Sequence, residues 1–246
     1  MLSLPYTLPS RGILYQGAIP DGNVIILPIR GEQEELFAGS GKQNHIVLLH
    51  HLISELVQFP QKFNSQDLLI NDWFALLINI FSFSYGPDVK LNPTCPGCNK
   101  SVSVSKKMTD LKCVMAPTGA KWQEPFDTEE LPMEKHKVTF RMLRMRDWQI
   151  IENFSSEQSR FNLPKNKTET YTLAQHIIAI NGNQNMTDME KMSWIEKALG
   201  GDLRVFRRAI KEKETGYNTR TEVACPECNA KFAVELPLDF FRSLGS

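Results

Sequence analysis

Four cysteines dominate the chemistry open to this chain. They fall into two short pairs, Cys95-Pro96-Gly97-Cys98 and Cys225-Pro226-Glu227-Cys228, both C-P-x-C, while the fifth, Cys113, stands alone. The x-x spacing lets a tight turn aim both sulfurs at one ion, and the proline presets φ for that turn. Two such knuckles supply the four thiolates of a closed, tetrahedral site. Cys95, Cys98, Cys225 and Cys228 are therefore the expected ligands of a structural Zn2+, with no open position for catalysis.

The two copies share more than cysteine. Each has Asn after its second Cys (Asn99, Asn229) and apolar residues four and six positions past it, Val102 and Val104 in one, Phe232 and Val234 in the other. Each reads as a turn followed by a strand of period two. A thioredoxin-like redox pair needs its C-x-x-C at a helix N-terminus, which lowers a thiol pKa. Here Ser101-Val102-Ser103-Val104 and Lys231-Phe232-Ala233-Val234 favour strand instead. Well over a hundred residues separate the pairs, so a shared ion makes that stretch an insertion hung from a ribbon. Cys113 reads as a half-buried thiol.

Other candidates are weaker. His45, His50, His51, His136 and His176 form no H-x-x-x-H or H-E-x-x-H spacing and read as ordinary surface or half-buried side chains. No G-x-S-x-G, P-loop or G-x-G-x-x-G is present, and Gly39-Ser40-Gly41-Lys42 lacks the strand and first glycine of a phosphate loop. Arg204, Arg207, Arg208 and Lys211 line one side of a helix whose other side is Leu203, Phe206 and Ile210. A basic row suits phosphates; it equally suits a solvated face or an acidic protein partner. Glu32, Glu34 and Glu35 favour the first turn of a helix and need no catalytic role.

Several elements must position these groups. Gly12–Tyr15 and Val24–Leu27 read as arms of a β-hairpin around Pro20-Asp21-Gly22-Asn23, whose Asp-Gly favours positive φ. A short acidic helix starts at Gly31. The spacing of Ile46, Leu49, Ile53 and Leu56 predicts a helix over 42–58. Another starts near Asn71 or Asp72, either able to cap it, and is apolar nearly all round, with Trp73, Phe74 and Phe81 as core. Val89–Leu91 is an extended lead-in to the first cysteines. Residues 115–135, with Pro117, Gly119, Pro125 and Pro132, read as a linker or long loop. A strand over 137–142 precedes four helices: one capped by Asp147; one over 169–180; one opened by the Thr187-x-x-Glu190 capping box and stopped by Gly200-Gly201; and one capped by Asp202.

The bulk properties agree with a folded chain. Lys+Arg and Asp+Glu are 28 each over 246 residues, a balance that argues against a polycationic nucleic-acid coat or a basic membrane-surface protein. At 41% hydrophobic the chain can fill a core. The longest unbroken apolar run between Leu68 and Tyr85 is only Trp73–Ile78, and no secretory leader is visible, so a soluble protein of a reducing compartment is expected.

Leu8-Pro9-Ser10-Arg11-Gly12-Ile13-Leu14-Tyr15 resembles the L-P-S-[KR]-G-x-x-Y opening of a family of baseplate hub assembly proteins from T-even-type, contractile-tailed bacteriophages. The likeness runs through Pro28-Ile29-Arg30-Gly31-Glu32-Gln33-Glu34-Glu35, the helix after Asn71-Asp72, Ser84-Tyr85-Gly86 and the Cys95/Cys98 knuckle, and includes the terminal pair; residues 115–216 match loosely. This resemblance implies a non-enzymatic structural or assembly protein of the tail baseplate, made and assembled in the host cytoplasm and located in the virion. Its implied partners are other hub, wedge or tail-tube subunits of a symmetric assembly, with no membrane.

The expected architecture is α+β. An N-terminal hairpin-plus-helix module spans 1–92, a discontinuous four-cysteine zinc ribbon spans 93–114 and 217–246, and a mostly helical insert spans 115–216. Alternatives are a zinc-ribbon nucleic-acid-binding protein using the row from Arg204 to Lys211, a transient assembly chaperone, and an enzyme with the ribbon as accessory.

Overall fold

A computed structural model describes residues 2–39, 45–118, 122–161 and 166–235. It is mixed helix and sheet, with seven α-helices and several small sheets among the described residues. They divide into two compact units. The first comprises Met1–Ser65, Phe74–Met115 and Thr215–Ser246; the second comprises Gln66–Trp73 and Ala116–Glu214.

In the first unit, β1 (Leu4–Thr7) pairs antiparallel with β2 (Asn23–Ile26). The first arm of the hairpin is thus not Gly12–Tyr15, which forms a 3-10 turn over Ile13–Tyr15. Leu14 and Tyr15 are buried as the apolar pattern demanded, but inside a compact loop. Arg11, Gly12, Gln16 and Gly17 around that turn all have positive φ, which a strand does not tolerate. The expected Asp-Gly turn is present, with φ of 56° at Asp21 and 72° at Gly22. A Cβ on Gly12 would lie 1.9 Å from the Ile19 carbonyl oxygen, so the loop can cross itself only through glycine.

Helix α1 (Gly31–Gly39) is followed by α2 (His45–Leu56), and β3 (Val57–Gln58) then joins β2. The expected helix over 42–58 therefore loses its last two residues to the sheet, where β-branched Val57 pairs with Ile26. Its first three, like the loop at 40–42, lie outside the described residues. Helix α3 (Ile70–Tyr85) starts ahead of Asn71 and Asp72, so neither is the cap; both stand in its first turn, where Asp72 suits the helix dipole. Residues 75–78, Ile80 and Phe81 are buried, as an all-round apolar helix requires, while Phe74 is half-buried. Ser84 Oγ accepts the Ile29 N–H (2.9 Å) and Tyr85 Oη donates to Glu34 (2.7 Å), fixing α3 against the segment around α1. Strands β4 (Asp88–Leu91) and β5 (Val104–Lys107) form a hairpin, and β6 (Cys113–Val114) leads out of the unit.

The second unit opens with a segment that is more than a linker. Trp122, Phe126 and Leu131 are buried, and β7 (Phe126–Asp127) pairs with β8 (Val138–Phe140). Apolar anchors between the prolines convert the stretch into a sheet edge. Asp147 is not the cap of α4 (Met145–Arg160). It sits in the first turn, accepting the Arg144 N–H at 2.8 Å and a bidentate Arg141 at 2.6 and 2.8 Å. Helix α5 (Thr168–His176) stops short of Ile180, because Ile177–Ile180 forms β9 against β8. Its β-branched residues favour a half-buried pleat over a helix.

The Thr187 capping box opens α6 (Asp188–Lys197) as expected, with Thr187 N–H to Glu190 Oε2 at 2.7 Å. Gly200-Gly201 does not stop that helix; it starts α7 (Gly200–Lys211). Asp202 accepts N–H groups from Met133 (2.8 Å) and Glu134 (3.1 Å), so its carboxylate pins a distant loop rather than capping α7. Val138, Phe140, Ile177 and Phe206 form the heart of this unit's core.

The chain re-enters the first unit through β10 (Gly216–Tyr217), paired antiparallel with β6, and ends in the hairpin of β11 (Arg220–Ala224) with β12 (Lys231–Glu235).

Candidate metal centre

Each cysteine pair sits at the tip of its own hairpin, and both hairpins use one plan. In the first, Cys95 N–H donates to Lys100 O and Asn99 N–H to Cys95 O, both at 2.9 Å. In the second, Cys225 N–H donates to Ala230 O and Asn229 N–H to Cys225 O, again at 2.9 Å. Asn99 and Asn229 take φ of 55° and 59°. That explains the repeated asparagine, since among side-chain-bearing residues Asn tolerates the left-handed region well. The registers also correspond. Leu91 faces Val104 as Thr221 faces Val234, and Thr94 faces Ser101 as Ala224 faces Lys231. Only the first ladder is interrupted, at Pro93, which has no N–H to give.

The tips meet. Cys95 Sγ lies 3.7 Å from Cys228 Sγ, Cys98 Sγ lies 3.8 Å from Cys225 Sγ, and all four sulfurs fall within 4.8 Å of one another. A disulfide needs about 2.0 Å, and none of the five cysteines is disulfide-bonded. A tetrahedron with Zn–S bonds of about 2.3 Å has edges of about 3.8 Å. The donor set and its spacing fit a tetrahedral thiophilic ion. Cys95 and Cys225 are fully buried, Cys98 is half-buried and Cys228 exposed.

Around the sulfurs is a very small apolar cluster: Val102, with Val104, Ala230 and Phe232 partly buried against it. These include three of the four residues singled out by their spacing past the second cysteines. So little apolar area cannot hold the two tips together unaided.

Electrostatics at the site are uneven. Burial opposes ionisation of Cys95, but N–H groups of Cys98 and Gly97, the latter 3.3 Å from its sulfur, together with the thiols of Cys225 and Cys228, outweigh that and hold the thiol down to about 7. An N–H from Ala230 favours a Cys228 thiolate, yet burial and three neighbouring sulfurs push that thiol up to about 12. Four adjacent thiolates cannot all ionise together without a cation among them.

The remaining candidates lie apart. Cys113, on β6, is half-buried with its sulfur 3.7 Å from Met115 Sδ. His51 pairs with Glu55 (3.0 Å), His136 lies beside Glu134 and accepts from Trp194 Nε1 (3.2 Å), and burial lowers the pKa of His50. The His176 ring donates from Nδ1 to the Arg141 carbonyl (2.8 Å). The side chain of His45 lies outside the described residues. Among the described residues, the four cysteines are the only metal-competent group. Arg204, Arg207, Arg208 and Lys211 are all exposed on α7, with Arg207 paired to Glu169 (2.8 Å) and Arg208 to Glu212 (3.8 Å). Spacing alone did not reveal the polar cluster of Arg141, Asp147, Arg144 and Glu124 beside His176, because its members come from a loop, a strand end and a helix start.

A family described as T4 bacteriophage base plate protein matches residues 19–242, nearly the whole chain and both cysteine pairs. The chain belongs to this family. Membership implies a structural or assembly role in the phage baseplate, a place in the virion tail, and contacts with other baseplate components. No curated protein and no solved structure matches the chain. Among the described residues, no helix is long and apolar enough to cross a membrane.

Proposed function

We propose that this baseplate-family protein is a zinc-stapled, non-enzymatic subunit or assembly factor of the tail hub, working through contacts with hub, wedge or tube subunits. The observation that carries the metal half is the pair of sulfur–sulfur separations, 3.7 and 3.8 Å, from cysteines 133 and 127 positions apart. Cys95, Cys98, Cys225 and Cys228 would hold the zinc, which would neutralise clustered thiolate charge and cross-link the hairpins. Closing so long a loop contributes stability on the order of a long-range disulfide, several kcal/mol. In this reading the ribbon of 93–114 and 217–246 ties the C-terminal hairpin to the N-terminal module, and 115–216 is the insert.

Zinc content of the purified full chain tests the site. One ion per chain, lost equally in Cys95→Ser and Cys225→Ser, is expected; retention in either variant means the pairs do not share an ion. Mass spectrometry of purified virions separates the two baseplate roles, since a resident subunit is detected and an assembly chaperone is not.

A further inference from the structure

The metal site is built from two copies of one motif, which creates a recognition problem. Any C-P-x-C tip can offer half of a four-sulfur site to any other, including the same tip of a second chain. The two tips here differ at two positions, and those positions face each other. The variable residue of the first knuckle is Gly97, and a Cβ built there would lie 2.9 Å from Ala230 Cβ, closer than real Cβ atoms approach. The variable residue of the second is Glu227, whose carboxylate takes an ion pair from Lys100 at 2.8 Å. Lys100 and Ala230 occupy the same place in their knuckles, two residues past the second cysteine. The contacts are therefore one contact seen twice across an approximate two-fold relation, filled once by two small residues and once by opposite charges.

We infer that Gly97, Ala230, Lys100 and Glu227 are specificity determinants that make each knuckle accept the other and refuse its own kind. The inference rests on the shared-ion reading of the four cysteines. By the same two-fold relation, two first knuckles would set Gly97 against Lys100 on both sides, leaving two ammonium groups without a carboxylate. Two second knuckles would set Glu227 against Ala230 twice, leaving two carboxylates without a cation. Only the mixed pair satisfies both contacts, a case of specificity written into mismatches of the wrong complex. It keeps the ion from bridging the same tip of two chains. Lys106 Nζ adds a further mixed contact, donating to Glu222 O at 3.1 Å.

The test uses zinc-loaded full chains of the wild type, Lys100→Glu, Glu227→Lys and the double exchange, read by native mass spectrometry and by zinc release to a colorimetric chelator. Lys100 and Glu227 side chains are 63% and 51% exposed, so these changes leave the core alone. Each single variant sets like charges face to face in the mixed pair. It is expected to release zinc about twofold to fivefold faster, the range of an exposed ion pair, and to show more zinc-bridged dimer. The double exchange is expected to restore both readings. Single variants that match the wild type, or a double exchange that stays impaired, overturn the inference. Wild-type chain that carries no zinc overturns instead the shared-ion reading beneath it.

Discussion

His176 shows how one buried ring sets a pH dependence. Burial pushes its pKa down to about 4, with the Arg141 carbonyl accepting from Nδ1 and Asp147 close by partly offsetting that. An unfolded imidazole titrates near 6.5. Below that value the unfolded chain takes up a proton that the folded chain refuses, so stability falls as pH drops from about 6.5 to about 4. The loss is on the order of 3 kcal/mol. Urea unfolding of the second unit across this window is expected to show it, and His176→Gln to flatten it. Asp147 acts lower on the scale. Burial opposes its ionisation, but the bidentate Arg141 and the Arg144 N–H hold its pKa below the usual carboxylate range. Its contribution is present above about pH 4 and is lost only as pH falls through that lowered value. The two groups are separable by pH.

Among elements, the loop between β1 and β2 is the least forgiving. Gly12 combines φ of 71° with a carbonyl oxygen 1.9 Å from where a Cβ would stand, and a Cβ on Gly22 would stand 2.7 Å from Arg11 Cα. Gly12→Ala is expected to lower thermal stability by more than the roughly 1–2 kcal/mol of a left-handed alanine alone, because the Ile19 backbone must also move. Gly17→Ala, with a similar φ but nothing within 4 Å, carries the conformational cost without the clash. Comparing the two melting curves separates strain from crowding; equal shifts would mean the close approach relaxes freely.

This loop also marks the limit of what was legible in the sequence. The apolar run Ile13-Leu14-Tyr15 announced burial correctly and strand wrongly, since period and burial coincide over so few residues. Ile177–Ile180 misled the other way, continuing a helical pattern into a strand whose pairing partner lies some 40 residues back in the chain. The cysteine pairs were readable because ligand spacing is local and chemically narrow. The meaning of Asn99 and Asn229 was not, because a left-handed φ leaves no trace in spacing. The contact of Lys100 with Glu227 was equally hidden, since it exists only once the tips have met.

For the molecule as a whole, the second unit and the cysteine hairpins differ in what sustains them. That unit has a packed interior of its own, centred on Phe140 and Phe206, whose rings meet edge to face at 5.9 Å. The hairpin tips that carry the cysteines meet over only a few side chains around Val102, with Val89, Leu91 and Val223 buried farther down the strands. Removing the ion with a chelator is therefore expected to speed backbone hydrogen exchange across 88–107 and 220–235 and to leave β8 and β9 protected. Equal loss of protection in both places would show that the clasp supports the entire chain.

Tyr217 Oη receives an amide N–H from Asn79 of α3 at 3.2 Å, and one residue earlier Gly216 lies beside Val114. The excursion from 115 to 215 thus departs and comes home at neighbouring points on two short antiparallel strands. A chain held this way can lengthen, shorten or redecorate its detour through evolution while the threshold stays fixed. Among relatives, that segment is where divergence would be cheapest, and where one phage lineage could adapt to its own neighbours without rebuilding the frame.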